Sequence, residues 1–140
     1  MFLPSVAGLE IGHIVVLVDV SGSIDERQLN RFGSELQDIA TQGCAKISIA
    51  YHDYDVCKTQ EWTKDDGDLI LTPCGGGGTS HKPAFQWIET NCEEPPDVVL
   101  CFTDLYSDFP AQPEYPVLWC ATGESVNHPW GERINIQMDA

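Results

Sequence analysis

The stretch that decides the fold runs from His13 to Phe32 and reads HIVVLVDVSGSIDERQLNRF. Its first part, up to Val18, is a continuous aliphatic run without polar alternation, which is typical of a strand buried on both faces of a parallel sheet. The run ends at Asp19, and Ser21 and Ser23 follow with a glycine between them. The carboxylate and the two hydroxyls either form a simple turn or converge on a ligand.

The residues after this turn predict an amphipathic helix from Ile24 to about Gln42. Its apolar residues recur at intervals of three and four, and Gly43 follows as a stop signal. The residues of this apolar face are Leu29, Phe32, Leu36 and Ile39. We therefore expect the helix to cover one face of the sheet.

Further strands and one more helix are predicted along the chain. The strands are Ala45–Tyr51, Asp97–Thr103, Pro116–Ala121 and a last one near Ile134–Met138. Residues 55–62, DVCKTQEW, predict an antiparallel strand at a sheet edge, where polar residues face water. The second helix is expected to begin at Thr79 or Ser80 and to carry Pro83 in its first turn.

These elements predict a compact three-layer α/β/α fold. Its sheet is Rossmann-like and open, mostly parallel with one antiparallel edge strand, and connected by right-handed crossovers. Residues 104–115, DLYSDFPAQPEY, hold too many turn formers for a helix, so loops are expected there. We expect residues 1–11 to be a linker or N-terminal extension and residues 12–140 to form the domain.

The charge of the chain narrows the range of partners. Its 140 residues include 22 acidic and 7 basic side chains, for a formal net charge of -15. Such a chain repels phosphate backbones and anionic lipid head groups, so nucleic acids and membranes are poor partners. The first residues lack the basic region and long apolar run of a signal peptide, so we expect a cytoplasmic protein.

The cysteines predict a reduced protein. The chain has six of them, at positions 44, 57, 74, 92, 101 and 120, without a CxxC pair. Cys101 and Cys120 lie in apolar strand-like runs, where a thiol behaves as a small hydrophobic side chain. In a cytosolic chain this pattern favours free thiols over a disulfide framework.

Three polar loops are predicted at the carboxyl edge of the sheet, where open α/β folds bind their ligands. The first supplies Asp19, Ser21 and Ser23, the second Thr79 after four glycines, and the third Asp104. All are oxygen ligands, which suit a hard cation such as Mg²⁺, with Mn²⁺ or Ca²⁺ as alternatives. Because hydroxyls add no charge, the two carboxylates balance the dication and leave it able to attract one further anionic oxygen.

Simpler interpretations exist for parts of this pattern. Ser23 and Glu26 fit a capping box, and Asp19 alone would fit an Asx turn. The glycines lack the Gly-Lys-Ser/Thr ending of a P-loop, which disfavours nucleotide binding. Asp53 and Asp55 would add acidic character to the same edge, although a solvated turn explains them more simply.

The histidines do not predict a zinc peptidase centre. They are scattered, at His13, His52, His81 and His128, and no HExxH helix is present. Each is more simply a surface histidine or one with its hydrogen bonds satisfied. His81 adjoins Thr79 and is the one expected to line the rim of the site.

Taken together, the motifs resemble those of the von Willebrand factor A-like (VWA-like) domains. The metal-ion-dependent adhesion site (MIDAS) of that family uses D-x-S-x-S, a later Thr and a later Asp. The segments GGGGTSHKPAF, FTDLYSDFP, PVLWCATG and HPWGERINI are similar to a bacterial and phage VWA-like domain that commonly follows a metallopeptidase-like domain. FLPS resembles the stretch that joins the two, and the likeness covers nearly the whole chain.

This resemblance implies a metal ligand set of Asp19, Ser21, Ser23, Thr79 and Asp104. Within it, the two serines would coordinate directly and the other residues directly or through water. The chain departs from the family at Leu105 and Ser107, where glycines are expected. This departure implies a stiffer or reshaped third loop.

Sequence and resemblance together predict a MIDAS domain that engages an acidic residue of a protein partner through a bound Mg²⁺. By family association, the candidate partners are a MoxR-type ATPase and an N-terminal metallopeptidase-like domain. No peptidase or hydrolase constellation is found, so no enzymatic activity is expected. The alternative is a metal-assisted phosphohydrolase, which would need a second acid two residues after Asp19, where Ser21 stands.

Overall fold

A computed structural model describes residues 12–20, 26–43, 46–74, 80–103, 105, 108–121 and 127–135. The strands are β1 (His13–Asp19), β2 (Lys46–His52), β3 (Val56–Trp62), β4 (Val98–Thr103), β5 (Val117–Ala121) and β6 (Glu132–Asn135). The helices are α1 (Glu26–Gly43) and α2 (Lys82–Asn91), with a short 3₁₀ turn at Lys64–Asp66. The predicted elements are therefore present, and their ends move by a few residues.

The strands form one sheet in the order β3-β2-β1-β4-β5-β6. All neighbouring pairs are parallel except β2 and β3, which are antiparallel, so the mostly parallel sheet with one antiparallel edge strand is confirmed. The chain first builds outward on one side of β1 and then returns to the other side with β4. The strand order thus reverses between β1 and β4, which is where ligands bind in such sheets.

The helices lie on opposite faces of the sheet, which confirms the three layers. Side chains of α1 pack with one alternate set of strand residues, and side chains of α2 pack with the other set. The α1 contacts come from Leu29, Phe32, Leu36 and Ala40, and the α2 contacts from Ala84, Phe85 and Ile88. Because strand side chains alternate between faces, each face of the sheet is a separate apolar layer.

The face covered by α2 contains a layer of aromatic rings. Trp119 is fully buried and its ring lies 5.3 Å from those of Phe109 and Trp130. The Trp119 Nε1–H donates to the Trp130 carbonyl at 2.7 Å, and Trp130 Nε1–H donates to that of Pro110 at 3.1 Å. These bonds attach the loop after β4 to the sheet, where the described residues form neither helix nor strand, as predicted.

The edge strand β3 corrects the prediction of reduced cysteines. Cys57 in this strand forms a disulfide bond with Cys74. Residues 69–74 run alongside β3, and Gln60 Nε2–H donates to the Ile70 carbonyl at 2.8 Å. This pairing is a product of chain packing, so a search for closely spaced cysteines could not find it. Cys92, Cys101 and Cys120 are free thiols, and Cys44 lies outside the described residues.

Two predicted boundaries differ from the observed ones. The last strand begins at Glu132 and not near Ile134, because its register places Glu132 opposite Leu118 of β5. The second helix begins at Lys82, with Pro83 in its first turn as predicted. His81 already has helical backbone angles and accepts the Phe85 N–H at 3.1 Å, so the helix start is displaced by about one residue from Ser80.

Asp97 fastens the start of β4 to the start of β1. Its Oδ2 accepts the backbone N–H groups of Gly12 at 2.7 Å and His13 at 2.9 Å. The Asp97 N–H donates to the His13 carbonyl at 3.0 Å. The hydrogen bonds from His13 and Gly12 hold the pKa of the Asp97 carboxyl below its ordinary value.

Asp97→Asn should lower the free energy of unfolding at neutral pH by no more than about 1 kcal/mol, because the carboxylate is exposed and water competes for its bonds. A lowered folded-state pKa means that this stabilisation is present above the unfolded-state pKa near 3.8 and is lost as pH falls through the folded-state pKa. Urea unfolding of wild type and Asp97→Asn, at neutral pH and below pH ~3, measures the effect of the substitution on stability at each pH. Asp38→Asn, an exposed change on α1, is the control; an equal effect of Asp97→Asn at both pH values would contradict this assignment.

Candidate metal centre

The carboxyl ends of three adjacent strands bring polar side chains to one edge of the sheet. Asp19 ends β1, His52 ends β2 directly beside it in the parallel register, and Thr103 ends β4. All three are buried and occupy alternate positions with apolar residues of the α2 face. Strand alternation thus places a carboxylate, an imidazole and a hydroxyl on the same face at the point where strand order reverses.

Thr103 joins the first and third loops through its side-chain oxygen. Its hydroxyl donates to Asp19 Oδ2 at 2.7 Å, and the Leu105 N–H donates to the same hydroxyl oxygen at 3.1 Å. A carboxylate can only accept, so the single hydroxyl proton of Thr103 is directed to Asp19. The buried carboxylate is thereby held in one orientation.

The hydrogen bond of His81 assigns the proton on its ring. His81 Nε2 lies 3.3 Å from Thr103 Oγ1, whose proton is already directed to Asp19. His81 must therefore donate from Nε2, which leaves the lone pair of the neutral ring on Nδ1. Nδ1 is buried and has no hydrogen-bond partner within the described part of the chain.

Burial keeps both histidines of this edge neutral. It lowers the pKa of His81 to about 4, with His52 as a second cause, and it lowers the pKa of His52 as well. Burial also raises the pKa of the Cys101 thiol, which lies on the same face in β4. One atom from each of His52, His81 and Cys101 lies within 4.8 Å of the other two.

Backbone hydrogen bonds tie the loops of this edge together. Val20 N–H donates to the His52 carbonyl, and Ser80 N–H donates to the Asp53 carbonyl, both at 2.9 Å. Asp108 Oδ1 accepts the Ser80 hydroxyl at 2.7 Å and the His81 N–H at 3.3 Å. The segments that flank the predicted ligands are therefore fixed relative to one another.

Of the predicted metal ligands, Asp19 lies among the described residues and occupies the predicted edge. Ser21, Ser23, Thr79 and Asp104 lie outside the described residues. Their described sequence neighbours Val20, Ser80 and Leu105 donate the backbone hydrogen bonds given above.

The structure agrees with the interpretation of Asp53 and Asp55 as a turn. Asp55 N–H donates to Asp53 Oδ1 at 3.2 Å, and Asp53 N–H donates to the Asp55 carbonyl at 3.0 Å, between β2 and β3. Asp53 and Asp55 therefore stabilise the turn of the β2–β3 hairpin.

The histidine predictions are correct in part. His13 Nε2 and His128 Nε2 are hydrogen-bonded, to Ser48 Oγ and the Gly131 carbonyl. His81 is fully buried among rings and does not line a rim. His52 is fully buried, and neither ring nitrogen makes a hydrogen bond of good geometry among the described residues, although backbone groups of Asp53 and Ser80 lie near enough to raise its pKa against burial.

Thr103 and Cys101 were not among the functional residues predicted from the sequence. Thr103 immediately precedes the predicted ligand Asp104, and Cys101 is two residues earlier on the same face of the strand. That spacing is the signal that could have identified them. It becomes informative only when the neighbouring strands are known.

The six-stranded sheet, with its antiparallel edge and a helix on each face, defines a VWA-like α/β domain. Residues 14–137 match the family described as VWA-like domain (DUF2201), and the chain belongs to this family. A Thermotoga maritima protein named "Uncharacterized protein" is 32% identical over 109 residues, covering 77% of this chain and 26% of that protein. The chain thus spans about a quarter of that relative's length. No helix in the described ranges is long and apolar enough to cross a membrane.

Leu105 accounts for the departure from the expected glycine in the third loop. Its φ angle is 72°, and it is the one non-glycine residue with positive φ in the described part of the chain. A left-handed conformation destabilises a residue with a Cβ by roughly 1–2 kcal/mol. The leucine side chain is buried in the α2 face, and such burial outweighs the strain because removing a buried leucine destabilises by about 2–5 kcal/mol.

Leu105→Gly and Leu105→Ala should both destabilise the protein, with the glycine variant more stable than the alanine variant by about 1 kcal/mol. Glycine relieves the backbone strain, whereas both variants lose the same buried side chain. Urea unfolding measures the difference. At Leu100, inside β4, the order should reverse and alanine should be better by about 0.5–1 kcal/mol. The same order at both positions would mean that Leu105 carries no backbone strain.

Proposed function

We propose that this domain binds one divalent cation, Mg²⁺ in the first place, at the carboxyl edge of its sheet and uses it to hold a protein partner. The ligands would be Asp19, Ser21, Ser23, Thr79 and Asp104, as in a MIDAS. The partner would complete the coordination with the carboxylate of an Asp or Glu side chain. The role is that of an interaction domain, without a catalytic step.

The observation that carries this proposal is the position of Asp19. Its carboxylate is buried at the strand-order reversal and oriented by the Thr103 hydroxyl at 2.7 Å. The residue after Thr103 is Asp104, so the two proposed acidic ligands leave adjacent parallel strands.

The charge of the ligand set explains why an acidic partner would be preferred. Two carboxylates neutralise a dication, and three hydroxyls add no charge. A cation with an open position then attracts an anionic oxygen at contact, even though the chain as a whole carries a charge of -15. Long-range repulsion is screened at physiological ionic strength, where the Debye length is about 8 Å.

Isothermal titration calorimetry with Mg²⁺ or Mn²⁺ alone should detect one site per chain. Asp19→Asn should weaken it by at least about tenfold, or ~1.4 kcal/mol, since it removes one of two charges that balance the ion. Asparagine retains an oxygen that can accept the Thr103 hydroxyl, so this variant should keep its fold. Asp53→Asn, an acid of the nearby hairpin outside the ligand set, is the matched control. Equal affinity in wild type and Asp19→Asn would refute the ligand assignment.

The partner chemistry can be tested with a random peptide library on the immobilised domain. Peptides captured in Mg²⁺ and released by chelator should be enriched in Asp or Glu, because only an anionic oxygen completes the coordination strongly. Interferometry on a selected peptide should give binding that is lost in chelator and in Asp104→Ala, yet is little weakened by moderate salt.

The control peptide carries Asn or Gln in place of its acidic residue and should not bind. Binding that survives chelator, or that disappears with modest salt, would assign the contact to ordinary surface charge. By resemblance, an N-terminal metallopeptidase-like domain and a MoxR-type ATPase are the first natural partners to test. The Thermotoga maritima relative is about four times longer than its matched region, so additional chain accompanies that region there.

A further inference from the structure

A second group of metal-binding side chains lies next to Asp19 on the α2 face. We propose that His52, His81 and Cys101, here named the His–Cys cluster, bind a zinc ion that is distinct from the cation of the proposed function. One ligand atom from each lies within 4.8 Å of the other two, and all three residues are fully buried. The cluster is drawn from β2, β4 and the residue before α2.

The protonation pattern of His81 matches that of a zinc ligand. Zinc-bound histidines use one ring nitrogen for the metal and donate the other N–H to an oxygen that fixes the ring. In His81 the Nε2–H donates to Thr103 Oγ1, and the buried Nδ1 has no hydrogen-bond partner among the described residues. Thr103, itself bonded to Asp19, thus acts as the positioning residue for the ring.

The second histidine of the cluster, His52, is buried without a well-formed hydrogen bond. Its side chain is 0% exposed, and within the described residues neither nitrogen makes a hydrogen bond of good geometry. Backbone groups of Asp53 and Ser80 lie near enough to the ring to raise its pKa against the larger lowering effect of burial. Buried polar groups are nearly always paired, because an unpaired one destabilises the fold. The rings of His52 and His81 lie 5.2 Å apart in an edge-on arrangement, and coordination of one ion would give both a partner.

The distances suit an ion of this size. Zinc lies about 2.0–2.1 Å from nitrogen and 2.3 Å from sulfur, so two tetrahedral ligand atoms stand roughly 3.5 Å apart. Closing the cluster from its present spacing requires the ligand atoms to move by about 1 Å. Two nitrogens and one sulfur favour zinc and disfavour Mg²⁺, which prefers oxygen.

Zinc binding changes the charge of the His–Cys cluster. Binding converts the Cys101 thiol to a thiolate and releases its proton to solvent, because zinc binds the deprotonated sulfur. Zinc with one thiolate carries a charge of +1, so the thiolate removes half of the ion's charge. Burial and the Asp19 charge raise the pKa of the Cys101 thiol, so protons compete with zinc for the sulfur and binding should strengthen as pH rises.

The test is titration of the chelator-treated protein with Co²⁺, a spectroscopic substitute for zinc. We expect a thiolate-to-cobalt charge-transfer band, removed by excess Zn²⁺ and unaffected by excess Mg²⁺. Cys101→Ala should abolish the band. Cys120→Ala, an equally buried cysteine in β5 that faces α1, should retain it and is the matched control.

The two metal sites can be separated by variants. Ser21→Ala with Ser23→Ala should lose Mg²⁺ binding in calorimetry and keep the cobalt band, so failure of either proposal is recognised separately. If Cys101→Ala does not fold by circular dichroism, His81→Phe decides, with an expected loss of Co²⁺ affinity of at least about 100-fold. Absence of the band in wild type, its persistence in Cys101→Ala, or unchanged affinity in His81→Phe would overturn the zinc proposal.

Discussion

The hydrogen bond from Thr103 to Asp19 is the interaction on which the functional edge depends. It crosses from β4 to β1 at the point where strand order reverses, and both partners are buried. By directing the only hydroxyl proton to the carboxylate, it orients the proposed acidic ligand. The same proton assignment obliges His81 to donate from Nε2 and leaves its other nitrogen free for a ligand. Thr103 therefore orients the Asp19 carboxylate and determines which nitrogen of the His81 ring carries the proton.

Parallel strands explain how two kinds of metal chemistry can stand side by side. Side chains two residues apart on a strand share a face, so Cys101 and Thr103 of β4 both lie on the α2 side. The proposed oxygen ligands are Asp19 and four residues of the loops that follow the strands. The proposed nitrogen and sulfur ligands are buried: His52 lies beside Asp19 at the end of β2, and Cys101 lies two residues before the end of β4.

Hydrogen bonds and side-chain packing hold the loops at this edge in place. Carbonyls at the end of β2 and in the adjoining turn accept N–H groups from the first and second loops, and Asp108 links the second and third. The side chain of Leu105 is buried and fixes the third loop to the α2 face, although its backbone has a left-handed conformation. A loop restrained in this way is expected to change shape less on ligand binding than a glycine-rich one.

The sequence by itself determined the strands, both helices, the antiparallel edge strand and the loops that carry the proposed oxygen ligands. Each of these follows from hydrophobic periodicity or turn residues within a short window. Only the tertiary structure decided the Cys57–Cys74 disulfide, the His–Cys cluster and the bonds of Thr103. The side chains hydrogen-bonded to Thr103 are 22 and 84 residues away along the chain, and strand order and register bring them together. That register cannot be predicted from short stretches of sequence, because it is determined by the packing of whole strands and helices against one another.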